Sequence, residues 1–234
     1  MALTGALLEA VAAGSAPAVV RVFRPGATVA FGRLDRIRPG FARACERSVA
    51  HGWVPVLRWG GGRAAPYGPD CVLVEVIRAQ EGIVGGLEER FEDVTALIRE
   101  TVAGLGIDLE VGEQPGEYCP GRFSLHLPGG GPKVAGVAQR VISGASLTTT
   151  ALVVVGGEAL RSVTAAVYDA LELPFDPATA GALAEARPGV DVAQVLDALR
   201  AAAHDRYRAA PAALDPEVID RAHERVEEVS VKST

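Results

Sequence analysis

Residues 133–156 read KVAGVAQRVISGASLTTTALVVVG. The β-branched Val, Thr and Ile that recur through this stretch stiffen χ1 and favour extended backbone over helix. Two such runs, 134–143 (VAGVAQRVIS) and 146–156 (SLTTTALVVVG), flank a Gly-Ala break, a spacing that predicts an antiparallel hairpin. Working outward toward the N-terminus, CVLVEVI at 71–77 is another apolar, β-branched strand, and shorter ones are predicted at 18–23 (AVVRVF), 28–31 (TVAF) and 54–59 (VPVLRW). Helices separate them. One is predicted at 6–13. A second, at 39–51, carries Phe41, Ala44, Cys45 and Val49 on one face and stops at Gly52. A third, at 87–105, aligns Phe91, Val94, Leu97, Ile98 and Val102. Its first turns hold Glu88, Glu89, Glu92 and Asp93, where negative charge suits the helix dipole and solvent.

Beyond residue 160 the pattern becomes helical, with segments at 160–171, 178–186, 190–207 and 216–229 divided by proline-containing turns. The class is therefore α/β in the α+β sense: a mixed, largely antiparallel sheet flanked by helices. The stretch Pro174 to Pro177 marks the expected boundary between a core at 1–173 and a helical C-terminal extension at 174–234.

A chain of 234 residues that is 49% hydrophobic and 22% charged can bury a substantial core. Its net charge of -6 argues against a nucleic-acid partner, because binding to phosphate backbones rests on clustered Lys and Arg. No apolar run is long enough to span a bilayer, and the N-terminal segment lacks the basic start of a secretory signal. A cytoplasmic location without membrane contact is expected. Cys45, Cys71 and Cys119 are widely spaced, so neither a disulfide framework nor a metal pair is predicted, and no metal site is expected. His51, His204 and His223 lack ligand spacing.

Two glycine-rich loops follow strands: Arg58-Trp59-Gly60-Gly61-Gly62-Arg63 and Gly129-Gly130-Gly131-Pro132-Lys133. Glycine lets backbone N–H groups approach a carboxyl, phosphate or thioester oxygen, although tight turns need the same residues. Neither loop fits the P-loop pattern. The second runs into Lys133-Val134-Ala135-Gly136-Val137-Ala138-Gln139, a K-x-x-G-x-A-Q pattern. With the arginine-flanked loop at 58–63, this pattern resembles the lipoate protein ligase, octanoyltransferase and biotin ligase family. The narrower stretch Tyr118-Cys119-Pro120-Gly121 resembles the octanoyl amidotransferases of that family.

The resemblance implies a biotin/lipoate ligase-like catalytic core and an acyl site in which Lys133 contacts the acyl carbonyl. Cys119 is then the acyl-accepting nucleophile, and Arg58, Gly60, Gly61, Gly62, Arg63, Gly136 and Gln139 bind the acyl group. A nucleophilic thiol needs a lowered pKa or a base; Lys133 supplies a cation, and His126 is a possible base. Cys45 and Cys71 read as structural. The implied activity is transfer of an octanoyl or lipoyl group to a lysine of a lipoyl-domain or glycine cleavage H-type carrier protein. A medium-chain acyl donor is its substrate, and no cofactor is required.

Two other readings remain. One is an ATP- and magnesium-dependent lipoate protein ligase that forms an acyl adenylate. The other is a noncatalytic acyl-binding relative, motivated by Tyr67 and Ser124 where the family commonly has histidine and aspartate. Lys133 reads as a loop residue whose replacement by Ala abolishes acyl transfer and leaves the fold intact.

Overall fold

The structure, a computed structural model, describes residues 1–82 and 85–231. Its centre is the long strand β5 (Cys71–Gln80), which pairs antiparallel with β1 (Val19–Phe23) on one side and β9 (Gly144–Val153) on the other. β9 turns back onto β8 (Lys133–Ile142) as the predicted hairpin, with Ile142 opposite Ala145. β7 (Leu125–His126) and β6 (Glu110–Val111) complete a six-stranded antiparallel sheet in the order β1-β5-β9-β8-β7-β6.

Both faces of β5 are covered, which explains why its sequence is a nearly unbroken apolar run rather than an alternation. Val72, Val74 and Val76 share a core with Val94, Leu97, Ile98 and Val102 of α4 (Leu87–Gly104) and with Val195 and Leu199 of α6 (Val192–Tyr207). On the opposite face Ile77 packs with Leu7 and Leu8 of α1 (Ala2–Ala12). Cys71 and Leu73 join a third cluster with α5 (Gly157–Ala170). Glu75, buried on that face, accepts from Thr4 Oγ1 at 2.8 Å and Arg21 Nη1 at 2.6 Å, so its charge is paired.

The parallel pairing lies in a separate three-stranded sheet. There β2 (Thr28–Phe31) runs parallel to β3 (Val54–Leu57) and antiparallel to β4 (Ala65–Tyr67). The three residues of β4, with Pro66 at their centre, are too few to leave a periodic signal, and the four-residue α2 (Arg33–Arg36) is equally short. Both were illegible in the sequence for that reason. α3 (Phe41–Ala50) forms as predicted, but Val49 faces solvent instead of joining the apolar side.

The segment 178–186 is not the predicted helix. It forms two short 3₁₀ turns, Pro177–Thr179 and Leu183–Glu185, around an extended stretch at 180–182. That stretch lies beside the start of β8, where Gly181 N–H donates to Lys133 O at 2.9 Å and Ala180 bridges Lys133 in parallel. A Cβ on Gly181 would come within 2.5 Å of Pro132, so tertiary packing overrides the alanine-rich helix propensity. The predicted helix at 216–229 breaks at Arg225 into α7 (Pro216–Glu224) and α8 (Val226–Val229). α6 lies on α4 and β1, and α7 lies on α1.

α3 and α5 approach closely at Gly40, where an added Cβ would stand 1.8 Å from Ala170 O. The same carbonyl accepts from Arg43 Nη2 at 3.1 Å. Gly40→Ala is expected to lower stability by about 1–3 kcal/mol through overpacking alone, read as a lower urea midpoint at unchanged slope.

Candidate active site

Cys119 sits in the connection between β6 and β7 with a left-handed backbone, φ 44°. A non-glycine residue holds that conformation only when its surroundings fix it. Its N–H donates to Tyr168 Oη at 2.6 Å, and that hydroxyl donates to Ala64 O at 2.9 Å, so α5 ties the cysteine turn to the first glycine loop. Its carbonyl accepts from Lys133 Nζ at 2.9 Å. The sulfur accepts from Arg58 Nη2 at 3.1 Å and from Arg63 N–H at 3.3 Å.

The first glycine loop makes room for that sulfur. Gly62 has φ 97°, and a Cβ there would fall 2.6 Å from Cys119 Sγ and 2.5 Å from Arg58 Nη2. Gly32, at the start of α2, lets Gly62 O come close: a Cβ on Gly32 would overlap it at 1.9 Å. Asp35 secures this corner. Its Oδ2 accepts from Gly32 N–H at 2.9 Å and its Oδ1 faces Arg63 Nη1 at 3.5 Å.

Arg58, Gly61, Gly62, Cys119, Lys133, Gly136 and Gln139 all line one cavity of about 600 Å³, a size suited to a small ligand. Its apolar walls include Ala65, Leu87, Phe91, Phe123, Ala138 and Ala151. The strand face of β8 and β9 supplies the floor, because Gly136 and Ala138 stand opposite Ala151 and Thr149. Gln139 is clamped, donating through Nε2 to Leu87 O at 2.8 Å and accepting from Arg90 Nε at 3.0 Å.

Two predicted acyl-binding residues stand apart from these walls. Gly60 packs on the floor beside the cavity, where a Cβ would meet Ala138 Cβ at 3.0 Å and Thr149 Cγ2 at 3.4 Å. Arg63 contributes its backbone N–H, while its side chain is spent on Asp35. Gly61 N–H donates to Gln139 O at 3.1 Å, so that glycine-loop donor is committed to the protein rather than to a ligand.

Lys133 is the first residue of β8 rather than part of a loop, and only 1% of it is exposed. Its ammonium has three acceptors: Tyr118 O and Cys119 O at 2.9 Å each, and Glu117 Oε1 at 3.3 Å. The Tyr118 ring lies beneath it at 4.8 Å. Gly136 permits the fold-back, since a Cβ there would meet Lys133 Cε at 3.3 Å.

Glu117 went unrecognised in the sequence. Fully buried, it gathers Gly121 N–H at 3.1 Å, Ser124 Oγ at 2.7 Å, His126 Nε2 at 2.7 Å and Lys133 Nζ. His126, a possible base on the sequence alone, lies in strand β7 and partners Glu117, while the sulfur is held by Arg58. The one sequence signal for Glu117 was its place next to Tyr118-Cys119.

Burial pushes the Cys119 thiol up, but the Arg58 and Lys133 charges and the hydrogen bonds from Arg58 and Arg63 N–H outweigh it, leaving its pKa below the ordinary thiol value. Cys45 and Cys71 go the other way, each pushed up to about 11, chiefly by burial. Burial also lowers Lys133, opposed by the Cys119 and Glu117 charges. For Glu117 the burial penalty is overcome by His126, Lys133, Ser124 and Gly121, and its carboxyl stays below the usual range. Because the thiolate is the reactive form, iodoacetamide at neutral pH is expected to label Cys119 first. Peptide mapping after partial labelling checks this.

A family model described as the lipoyl protein ligase A/B catalytic domain matches residues 1–202. Among curated relatives, the octanoyl-[GcvH]:protein N-octanoyltransferase of Geobacillus kaustophilus is 32% identical over 161 residues, 69% of this chain and 56% of that protein. The enzyme of the same name from Exiguobacterium sibiricum is 28% identical over 145 residues, 62% of this chain and 52% of its own. The chain spans about half the length of the curated relatives it matches. Among solved structures, lipoate-protein ligase A bound with ATP superposes with a TM-score of 0.75 over 97% of this chain and 90% of that one, at 16% identity. A lipoate protein ligase of Thermoplasma acidophilum with bound lipoic acid gives 0.71 over 97% and 89%, also at 16%. At these identities the likeness establishes the fold.

Proposed function

From the premise that the chain belongs to the lipoyl protein ligase A/B catalytic domain family, we propose that it transfers an octanoyl-type acyl group to a carrier-protein lysine through a thioester on Cys119. The observation that carries this reading is the Cys119 sulfur, held by the Arg58 guanidinium and the Arg63 N–H in the wall of an apolar cavity. In this reading donor and acceptor follow the names of the relatives, in which an octanoyl group on GcvH, a glycine cleavage H-type carrier, passes to nitrogen of a second protein.

In the proposed route the thiolate attacks the acyl carbonyl carbon, and negative charge moves from sulfur to the acyl oxygen. Arg58 and the Arg63 N–H, already facing the sulfur, lie beside that developing charge. The bond to the donor's nitrogen breaks, that nitrogen takes a proton, and the acyl group stays on Cys119 as a thioester. The acceptor lysine, as free amine, then attacks the thioester: the N–C bond forms, the C–S bond breaks to release the thiolate, and the amine gives a proton to solvent as the amide forms. Gly61, Gly62, Gly136 and Gln139 shape the acyl cavity; Gly60 supports its floor and Arg63 anchors the loop. Lys133 holds the Cys119 carbonyl and keeps positive charge near the sulfur, a role that differs from direct contact with the acyl oxygen.

The ATP- and magnesium-dependent ligase reading rests on the family's breadth and asks for cations free to meet phosphate. Lys133 is occupied by Glu117, Tyr118 O and Cys119 O, and Arg58 by Cys119, Tyr67 and Arg63 O. The two cations nearest the Cys119 carbonyl and sulfur are thus both committed to the protein, which supports the transferase reading.

Incubation with octanoyl carrier protein in the absence of ATP, followed by intact-mass measurement, tests the proposal. The expected result is an octanoyl adduct that maps to Cys119 and is discharged by a lipoyl-domain acceptor. No adduct, together with ATP-dependent attachment of lipoate, would establish the ligase instead. Tight acyl binding without either would indicate the noncatalytic relative.

A further inference from the structure

An enzyme that hands an acyl group to a lysine amine faces a hazard when a lysine of its own stands beside the thioester. Lys133 Nζ lies 2.9 Å from the backbone carbonyl oxygen of Cys119, the charge on the Cys119 sulfur acts on it directly, and both residues line the same cavity. As a free amine it could attack the acyl carbon: the N–C bond would form, the C–S bond would break, the sulfur would leave as thiolate, and the amine would lose a proton to solvent. The product, an Nε-acyl-Lys133 amide, is a trap, because an amide lies well below a thioester in free energy and Lys133, unlike a carrier-protein lysine, cannot leave the site once Cys119 takes the acyl group back.

We propose that Glu117 guards against this capture by holding Lys133 as an ammonium through the acyl-enzyme stage, a role that rests on the Cys119 thioester reading. The groups facing Lys133 make the case. Before acylation two anions support its charge, the Cys119 thiolate and the Glu117 carboxylate, while Arg58 opposes it and burial penalises it. The Tyr118 ring adds a cation–π contact. Acylation of Cys119 neutralises the sulfur, so one of the two anions is lost at the moment the thioester appears. Glu117 remains.

Its own charge is secured by four donors, from Gly121, Ser124, His126 and Lys133. These donors also fix the carboxylate in place, with Oε1 turned to the ammonium and Oε2 to His126. A buried lysine that loses its partner carboxylate moves toward the neutral form at physiological pH, which is the form that attacks.

The test compares wild-type protein with Glu117→Gln, which keeps the shape and removes the charge. Each is incubated with octanoyl carrier protein at neutral pH, treated with hydroxylamine, and mapped by mass spectrometry. Wild type should show a hydroxylamine-labile adduct on Cys119. Glu117→Gln should accumulate a hydroxylamine-resistant adduct on Lys133, at least tenfold above wild type, and lose turnover progressively as it forms. Glu117→Asp, which restores the charge, should suppress the resistant adduct.

A merely structural role for Glu117 would reduce acylation without moving it to Lys133. Should Glu117→Gln fail to fold, wild type alone decides: the resistant Lys133 adduct should appear on raising the pH, with an onset below the ordinary lysine value of about 10.4. A purely labile Cys119 adduct in both proteins, or in wild type across that pH range, overturns the guard role alone. Absence of any adduct on either protein overturns the Cys119 reading and the guard role with it.

Discussion

Cys119→Ser is expected to abolish the octanoyl adduct and to lower acyl transfer by on the order of 10⁴-fold or more, the size of effect seen when a covalent nucleophile is removed. The reason lies in what the site does to a thiol. Arg58 and the Arg63 N–H lie 3.1 and 3.3 Å from the sulfur, and with Lys133 they bring the thiol below its ordinary pKa despite burial. A serine hydroxyl starts far higher, and the same charges cannot bring it into range at neutral pH. His126, which the sequence offers as a possible base, is committed to Glu117. The substitution is nearly isosteric, and Gly62 leaves open the space the side chain occupies, so the urea midpoint should move little. A variant that kept ATP-independent transfer would end the covalent reading. One that kept only ATP-dependent lipoate attachment would move the chain to the ligases.

How much of this was legible in the sequence depends on the distance over which the signal is carried. The hairpin of β8 and β9 and the central β5 declare themselves through β-branched runs, and α3, α4 and α6 through apolar spacing, because each signal is complete within one element. The segment 178–186 failed because its alanines favour helix locally, while the need to lie beside Lys133 in β8 is set by residues far along the chain. The candidate site divides the same way. Cys119, Lys133 and the glycine loop sit in motifs, and the structure places them around one cavity. Tyr168 reaches Cys119 from α5 and Glu117 acts through Lys133 of β8, so beyond Glu117's place next to Tyr118-Cys119 no pattern marks them. Gly60 and the Arg63 side chain show the converse. They share a motif with cavity residues, yet face the floor and Asp35.

Lys133→Ala should remove transfer and also destabilise the protein by roughly 3–5 kcal/mol, because breaking a buried ion pair leaves the other charge stranded. The expectation that this is a loop lysine, needed for transfer but contributing little to the core, meets a different position: it opens β8, is 1% exposed, and spans to the 117–119 turn. Its loss orphans Tyr118 O and Cys119 O and releases the left-handed Cys119 from one of its restraints. Folding stabilities are commonly about 5–15 kcal/mol, so urea denaturation will register the change clearly. Activity alone would then confuse lost chemistry with lost fold.

The double variant Lys133→Met, Glu117→Gln separates them. Methionine fills most of the lysine's volume, and glutamine can still accept from Ser124 and Gly121 without a stranded charge. Stability should recover by about 1–3 kcal/mol over Lys133→Met alone, a coupling in the range expected for residues in direct contact. Transfer should stay lost, since no cation replaces Lys133 beside Cys119. A Lys133→Ala protein as stable as wild type would contradict the buried pairing, and a double variant with full transfer would show that the Lys133 charge is not needed at the sulfur.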